Sequence, residues 1–126
     1  MADVSIFDVS GGGNDAKATA LLTAGAAAQT VPCAYGKDQR LALRVKNGNE
    51  LKKAVVCVAA GSGPRAALGA MSVTVNEGET AYIALFDTAR YKDLSTNGIT
   101  VTLVDAAGDA LEAAELAAVQ IEAVQL

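Results

Sequence analysis

Leu41, Leu43 and Val45 alternate with Arg40, Arg44 and Lys46. Successive side chains of a strand point to opposite faces, so this run predicts a strand with one buried and one wet face. Similar runs recur up to residue 105. Residues 54–58, Ala-Val-Val-Cys-Val, are apolar on both faces and predict a central strand. Met71, Val73 and Val75 alternate with Ser72 and Thr74. Between residues 80 and 86, Ala81, Ile83 and Leu85 fall on one side, Tyr82 and Phe86 on the other. Residues 99–104, Ile-Thr-Val-Thr-Leu-Val, alternate again.

Turn signals separate these runs. Asn47-Gly48 is the strongest, because both residues accept the positive φ of tight hairpins. It predicts a hairpin returning through residues 52–60. Residues 76–79 turn the chain before the strand at 80–86. Residues 61–69 read as a loop with one helical turn, and residues 87–94 as a helical turn capped by Asp87. Residues 95–98 break the chain once more.

The two ends are less regular. Residues 5–9 predict a short strand and residues 10–15, Ser-Gly-Gly-Gly-Asn-Asp, a flexible break. The Ala-rich residues 17–29 suit a helix, a loose strand or an arm lying on a neighbour. Val31-Pro32 favours extended backbone, and Lys37-Asp38 leads into the first strong strand. Residues 109–126 carry both helix-like spacing and, from Val119 to Val124, strand alternation. The favoured reading is a turn at Ala107-Gly108 and a final strand at 117–125 beside 99–104; a helix is the alternative.

Together these signals predict an all-β chain, an antiparallel β-sandwich of seven to eight strands with an extended N-terminal segment. Residues 1–30 form an arm or first strands, and residues 31–126 the sandwich. A chain of 126 residues is one domain by size and can bury a stable core. It is 52% hydrophobic but only 4% aromatic, so Val, Leu and Ile must fill that core.

The net charge of −4 argues against nucleic-acid binding, which needs cations to neutralise phosphates. No stretch is long and apolar enough for a membrane span, and residues 1–8 lack the features of a signal peptide. Lys37, Arg40, Arg44, Lys46, Lys52 and Lys53 cluster in the expected hairpin. Such a cluster is either a solvated face or a patch docking on an acidic partner.

The sequence has no histidine, which removes the commonest general base and zinc ligand. Cys33 and Cys57 lack CxxC spacing and read as reduced, small apolar residues, Cys57 inside a strand. Gly61-x-Gly63-x-x-Ala66 matches a dinucleotide fingerprint after a strand. Only seven residues separate Gly63 from Met71, too few for the crossover helix that parallel strands require. Asp3 with Asp8, or Asp105 with Asp109, could contribute to a calcium site, but acids at turns more often cap or solvate. No catalytic, cofactor-binding or metal residue is assigned, no cofactor is expected, and the chain is not read as an enzyme. Tyr35, Tyr82 and Tyr91 are possible interface anchors, tyrosine combining apolar area with a polar tip.

The order of these elements supports a resemblance. Leu43-x-Val45-x-Asn47 opens a hairpin, a Val73-x-Val75-x-x-Gly78-x-Thr80 hairpin follows, and a short turn with Arg90 and Tyr91 precedes the closing strands. This resembles the small β-sandwich decoration, or head auxiliary, proteins of tailed bacteriophages, over about residues 38–126. The Ala-rich stretch after Gly108 departs from the pattern. The resemblance implies a virion structural protein, assembled in the host cytoplasm, that decorates and stabilises the capsid. Its partners would be the major capsid protein or other virion proteins, with homo-oligomers on the particle and neither nucleic acid nor membrane. The candidate interface is Arg40, Arg44, Lys46, Tyr35, Arg90 and Tyr91. The alternatives are a head-tail connector or tail structural protein, and an Ig-like adhesion or carbohydrate-binding module.

Overall fold

The structure, a computed structural model, describes residues 2–3, 6–8, 22–23, 27–32, 41–63, 65–85 and 88–125. The glycine break at 10–15, most of the Ala-rich stretch, Cys33, Tyr35, Lys37, Asp38, Arg40, Phe86 and the expected Asp87 cap lie outside them.

The chain is all-β, and its strands form two sheets. In chain order they are β1 (Ala2–Asp3), β2 (Ile6–Asp8), β3 (Leu22–Thr23), β4 (Ala28–Pro32), β5 (Leu41–Asn47), β6 (Ala54–Val58), β7 (Met71–Val75), β8 (Thr80–Ala84), β9 (Lys92–Asp93), β10 (Gly98–Val104) and β11 (Val119–Gln125). Among the described residues the helices are short: α1 (Thr88–Tyr91), α2 (Ala113–Ala117) and a 3-10 turn at Ala66–Leu68. The first sheet runs β1-β4-β10-β6-β7, with β9 also paired to β10. The second runs β2-β11-β5-β8, with β3 also paired to β11. Among the described residues, seven strands have five or more residues. These seven pair antiparallel, while β1 joins β4 and β2 joins β11 in parallel. The boundary expected between residues 30 and 31 falls inside β4.

Alternation accounts for the core. Leu41, Leu43 and Val45 of β5 are fully buried, as are Val56 and Val58 of β6 and Val101 and Leu103 of β10. Val31, Leu85, Ile99, Val119 and Ile121 join them in one cluster. Burying each such side chain contributes roughly 1.5–3 kcal/mol. Ala54–Val58 is an interior strand, flanked by β10 and β7.

The pairing differs from expectation at three links. β5 and β6 do not form a hairpin; they lie in different sheets. Asn47-Gly48 therefore carries the chain across the sandwich, and neither residue has positive φ. Asn47 is instead buried. Its Nδ2 donates to the carbonyls of Lys52 (2.8 Å) and Val75 (3.1 Å), and its Oδ1 accepts from the Asn49 amide (3.1 Å). Gly48 is needed for close approach: its amide donates to Ala118 O at 2.8 Å, and a Cβ would sit 2.7 Å from that oxygen. The second Asn-Gly pair makes the hairpin. Asn97 adopts φ 57°, donates to Asp93 O at 2.7 Å and closes β9 onto β10.

The turn at residues 76–79 likewise links the two sheets, since β7 and β8 belong to different ones. The last strand is present, but β11 pairs with β5 along its full length rather than beside β10. The helical spacing before it is real but brief. It yields α2, where the Glu112 amide donates to Glu115 Oε1 at 2.9 Å. No helix among the described residues is long and apolar enough to cross a membrane.

Candidate interaction surface

The four expected interface residues that are described, Arg44, Lys46, Arg90 and Tyr91, do not form one patch. Arg44 and Lys46 project from the outer face of the second sheet, Lys46 exposed and Arg44 half-buried. Arg44 lies in register between Tyr82 on β8 and Glu122 on β11. Its Nη1 is 3.4 Å from Glu122 Oε2, and Glu122 is only 6% exposed. The basic hairpin is not formed, because Lys52 and Lys53 belong to the crossing link. They pair with acids at one end of the sandwich, Lys52 with Asp105 and Glu115 at 3.9 Å and Lys53 with Glu77 at 3.6 Å. These exposed pairs are each worth about 1 kcal/mol or less. Lys52, Lys53, Glu77 and Asp105 line an open cleft of about 280 Å³ beside Leu51.

Arg90 and Tyr91 serve the fold. Tyr91 is 5% exposed and belongs to the core, so it is not available as an anchor. Its hydroxyl reaches Met71 Sδ at 3.7 Å. Arg90 donates from Nε to Gly69 O (2.7 Å) and from Nη2 to Ala70 O (3.1 Å). In return, the Gly61 amide donates to Arg90 O at 2.8 Å. The long link between β6 and β7 is thus pinned to α1 and β9. Tyr35 and Arg40 lie outside the described residues.

That pinned link contains the fingerprint Gly61-x-Gly63-x-x-Ala66. It joins two antiparallel neighbours, so no crossover geometry exists. Gly61 is required because a Cβ there would collide with the Lys92 backbone. Asp105 is similarly committed to its turn: Oδ1 accepts from the amides of Ala107 (2.9 Å) and Asp109 (2.8 Å). Among the described residues, no three His, Cys, Asp or Glu side chains converge on a common point. Cys57 is a free thiol, half-buried on β6.

Pattern reading passed over the exposed leucines. Leu68 is 56% exposed in the 3-10 turn, and Leu94 is 64% exposed in the β9–β10 turn. Both occupy the end of the sandwich where β6 finishes and β7 and β10 begin. Ser62 joins their segments, its Oγ accepting from the Leu94 amide at 2.9 Å. Asp93 strengthens this turn by accepting from the Ser95 hydroxyl (2.8 Å) and amide (3.0 Å). These hydrogen bonds, the Ser95 hydroxyl first, hold its carboxyl below the ordinary value against a small opposing desolvation. The sequence signal for these leucines was weak: Leu94 is a single apolar residue within a polar turn, and Leu68 lies in a small-residue run with no alternation.

The described surface can dock through apolar side chains on braced turns, through Tyr82 and through a sheet edge. Against known proteins, the chain matches no family model, no curated protein and no solved structure.

Proposed function

We propose that this chain is a structural protein of a bacteriophage particle that decorates the capsid and stabilises it. The observation that carries the reading is the braced apolar end. Leu68 and Leu94 are presented to solvent by turns that Arg90, Ser62 and Asp93 hold in place. Isolated exposed leucines are ordinary, but two on one stiffened end can dock with little ordering cost. A small patch is sufficient on a repeating shell, because many weak contacts act together. The choice of lattice rests on the sequence resemblance to phage decoration proteins alone, two of whose hairpins this fold replaces with links between the sheets.

The test is cosedimentation of the purified protein with expanded shells of the phage encoding it. Saturable binding is expected, lost in the Leu68→Asp/Leu94→Asp double variant while its thermal melt is unchanged. A wild-type chain that binds no shell, and is missing from purified particles, overturns the reading. Recovery with tails alone moves it to a tail component.

A further inference from the structure

We infer that two copies of this chain pair edge to edge through β8, antiparallel and centred on Tyr82. β8 is an edge strand of the second sheet, bonded to β5 on one side. The other edge of that sheet is occupied by β2 and β3. The bonds Asn47 N to Glu79 O and Leu85 N to Leu41 O set the phase of the ladder. Antiparallel ladders alternate bonded and unbonded pairs, so residues 79, 81, 83 and 85 bond inward to β5. The amides and carbonyls of Thr80, Tyr82 and Ala84 therefore point out of the sheet. None of them has a backbone partner among the described residues.

Exposed edges are ordinarily blunted by lysine, proline or a bulge. Residues 80–85 contain no charge and no proline, and β8 pairs with β5 without a break in register. Tyr82 at the centre is 75% exposed, and Ala84 beside it is exposed.

These outward groups are self-complementary. With Tyr82 opposite Tyr82 of the second copy, Thr80 falls opposite Ala84 and Ala84 opposite Thr80. Every outward residue then gives and receives one hydrogen bond, the arrangement a two-fold axis requires. Glu79 falls opposite Leu85 instead of another acid. Shifting the axis to Thr80 or Ala84 would leave some of the three outward residues without partners in this run. Axes through the unbonded pairs at Ala81 or Ile83 would join two of the outward residues but leave Ala84 or Thr80, respectively, facing residues outside this run. Because residues 80–85 carry no charge, two copies of this strand meet without like-charge repulsion. This pairing does not depend on the capsid reading.

Sedimentation velocity of the full chain, from about 10 µM to about 1 mM, tests the association; an edge contact of this size sits at the weak end of interfaces. A concentration-dependent dimer is expected, and Tyr82→Lys should weaken it about tenfold or more by placing two cations face to face. A monomer throughout the range, or a dimer indifferent to Tyr82→Lys, overturns the proposal. Register is read by oxidation of single cysteines, with Cys33 and Cys57 replaced by alanine and the fold checked by its melt. Directly opposed residues sit about 5.5 Å apart at Cα, within disulfide reach. Tyr82→Cys should cross-link to itself. Thr80→Cys should cross-link only when mixed with Ala84→Cys, and a Thr80→Cys chain that links to itself overturns the register.

Discussion

The Asn47 side chain reaches from the end of β5 in one sheet to the Val75 carbonyl at the end of β7 in the other, at 3.1 Å. The same amide holds Lys52 O, so a single buried group satisfies the backbone on both sides of a sheet crossing. Asn47→Asp keeps the shape but turns a carboxylate oxygen towards two carbonyls. We expect a loss of about 2–4 kcal/mol. It should appear in urea unfolding as a lower midpoint with unchanged slope. A variant within about 0.5 kcal/mol of the parent would show that the clasp is not holding the sheets.

Gly48 and Gly108 should respond differently to alanine. At Gly48 the added methyl meets the Ala118 carbonyl at 2.7 Å, so the backbone must move, at a cost of about 1–3 kcal/mol. Gly108 has φ 86° and open space around it, so Gly108→Ala carries only the left-handed penalty of about 1–2 kcal/mol. Gly108→Asn should recover most of that loss and Gly48→Asn none, as thermal melts would show.

Glu122 offers a third test. Its Oε2 faces Arg44, while its Oε1 is buried with no hydrogen-bond partner. Arg44→Met would leave the carboxylate without its cation and should cost about 1–3 kcal/mol. Adding Glu122→Leu removes the stranded charge. The double variant should then be more stable than Arg44→Met alone. Additive losses in that cycle would contradict coupling across the strands.

Asp93 links stability to pH. Its folded carboxyl titrates below the ordinary 3.8, chiefly through the Ser95 hydroxyl. The folded chain thus holds this proton less tightly than the unfolded chain. The carboxylate adds stability above that ordinary value and loses it as pH falls through the lower folded value. The melting difference between the parent and Asp93→Asn should be steady near neutrality and shrink below about pH 4. A difference that stays constant to about pH 2.5 would remove Asp93 from the turn's support.

Which residues face the core was legible wherever alternation was clean, as at Leu41, Leu43 and Val45. Partner strands were not, because alternation marks a buried face without saying which sheet owns it. Asn47-Gly48 and Asn97-Gly98 are the same dipeptide. Only the second closes a hairpin, since its neighbours Asp93 and Ser95 bond within the turn. At the first, the carbonyls of Lys52 and Val75 draw the asparagine inward. The candidate surface was less legible still. Tyr91 sits between two cations, which suggests exposure, but the distant link pinned by Arg90 lies against α1 and helps bury it. Leu68 and Leu94 matter by sharing one end of the fold, which no local pattern displays.

The β5–β11 ladder joins Arg44 to Glu122, residues separated by 78 positions. An interior strand of the second sheet is therefore the last described element to leave the ribosome. Until then Leu41, Leu43 and Val45 have β8 on one flank and nothing on the other. Such distant pairing slows folding and prolongs exposure of unpaired strands. Crowded synthesis of many copies would thus set a race between completing each chain and premature association of half-built sheets.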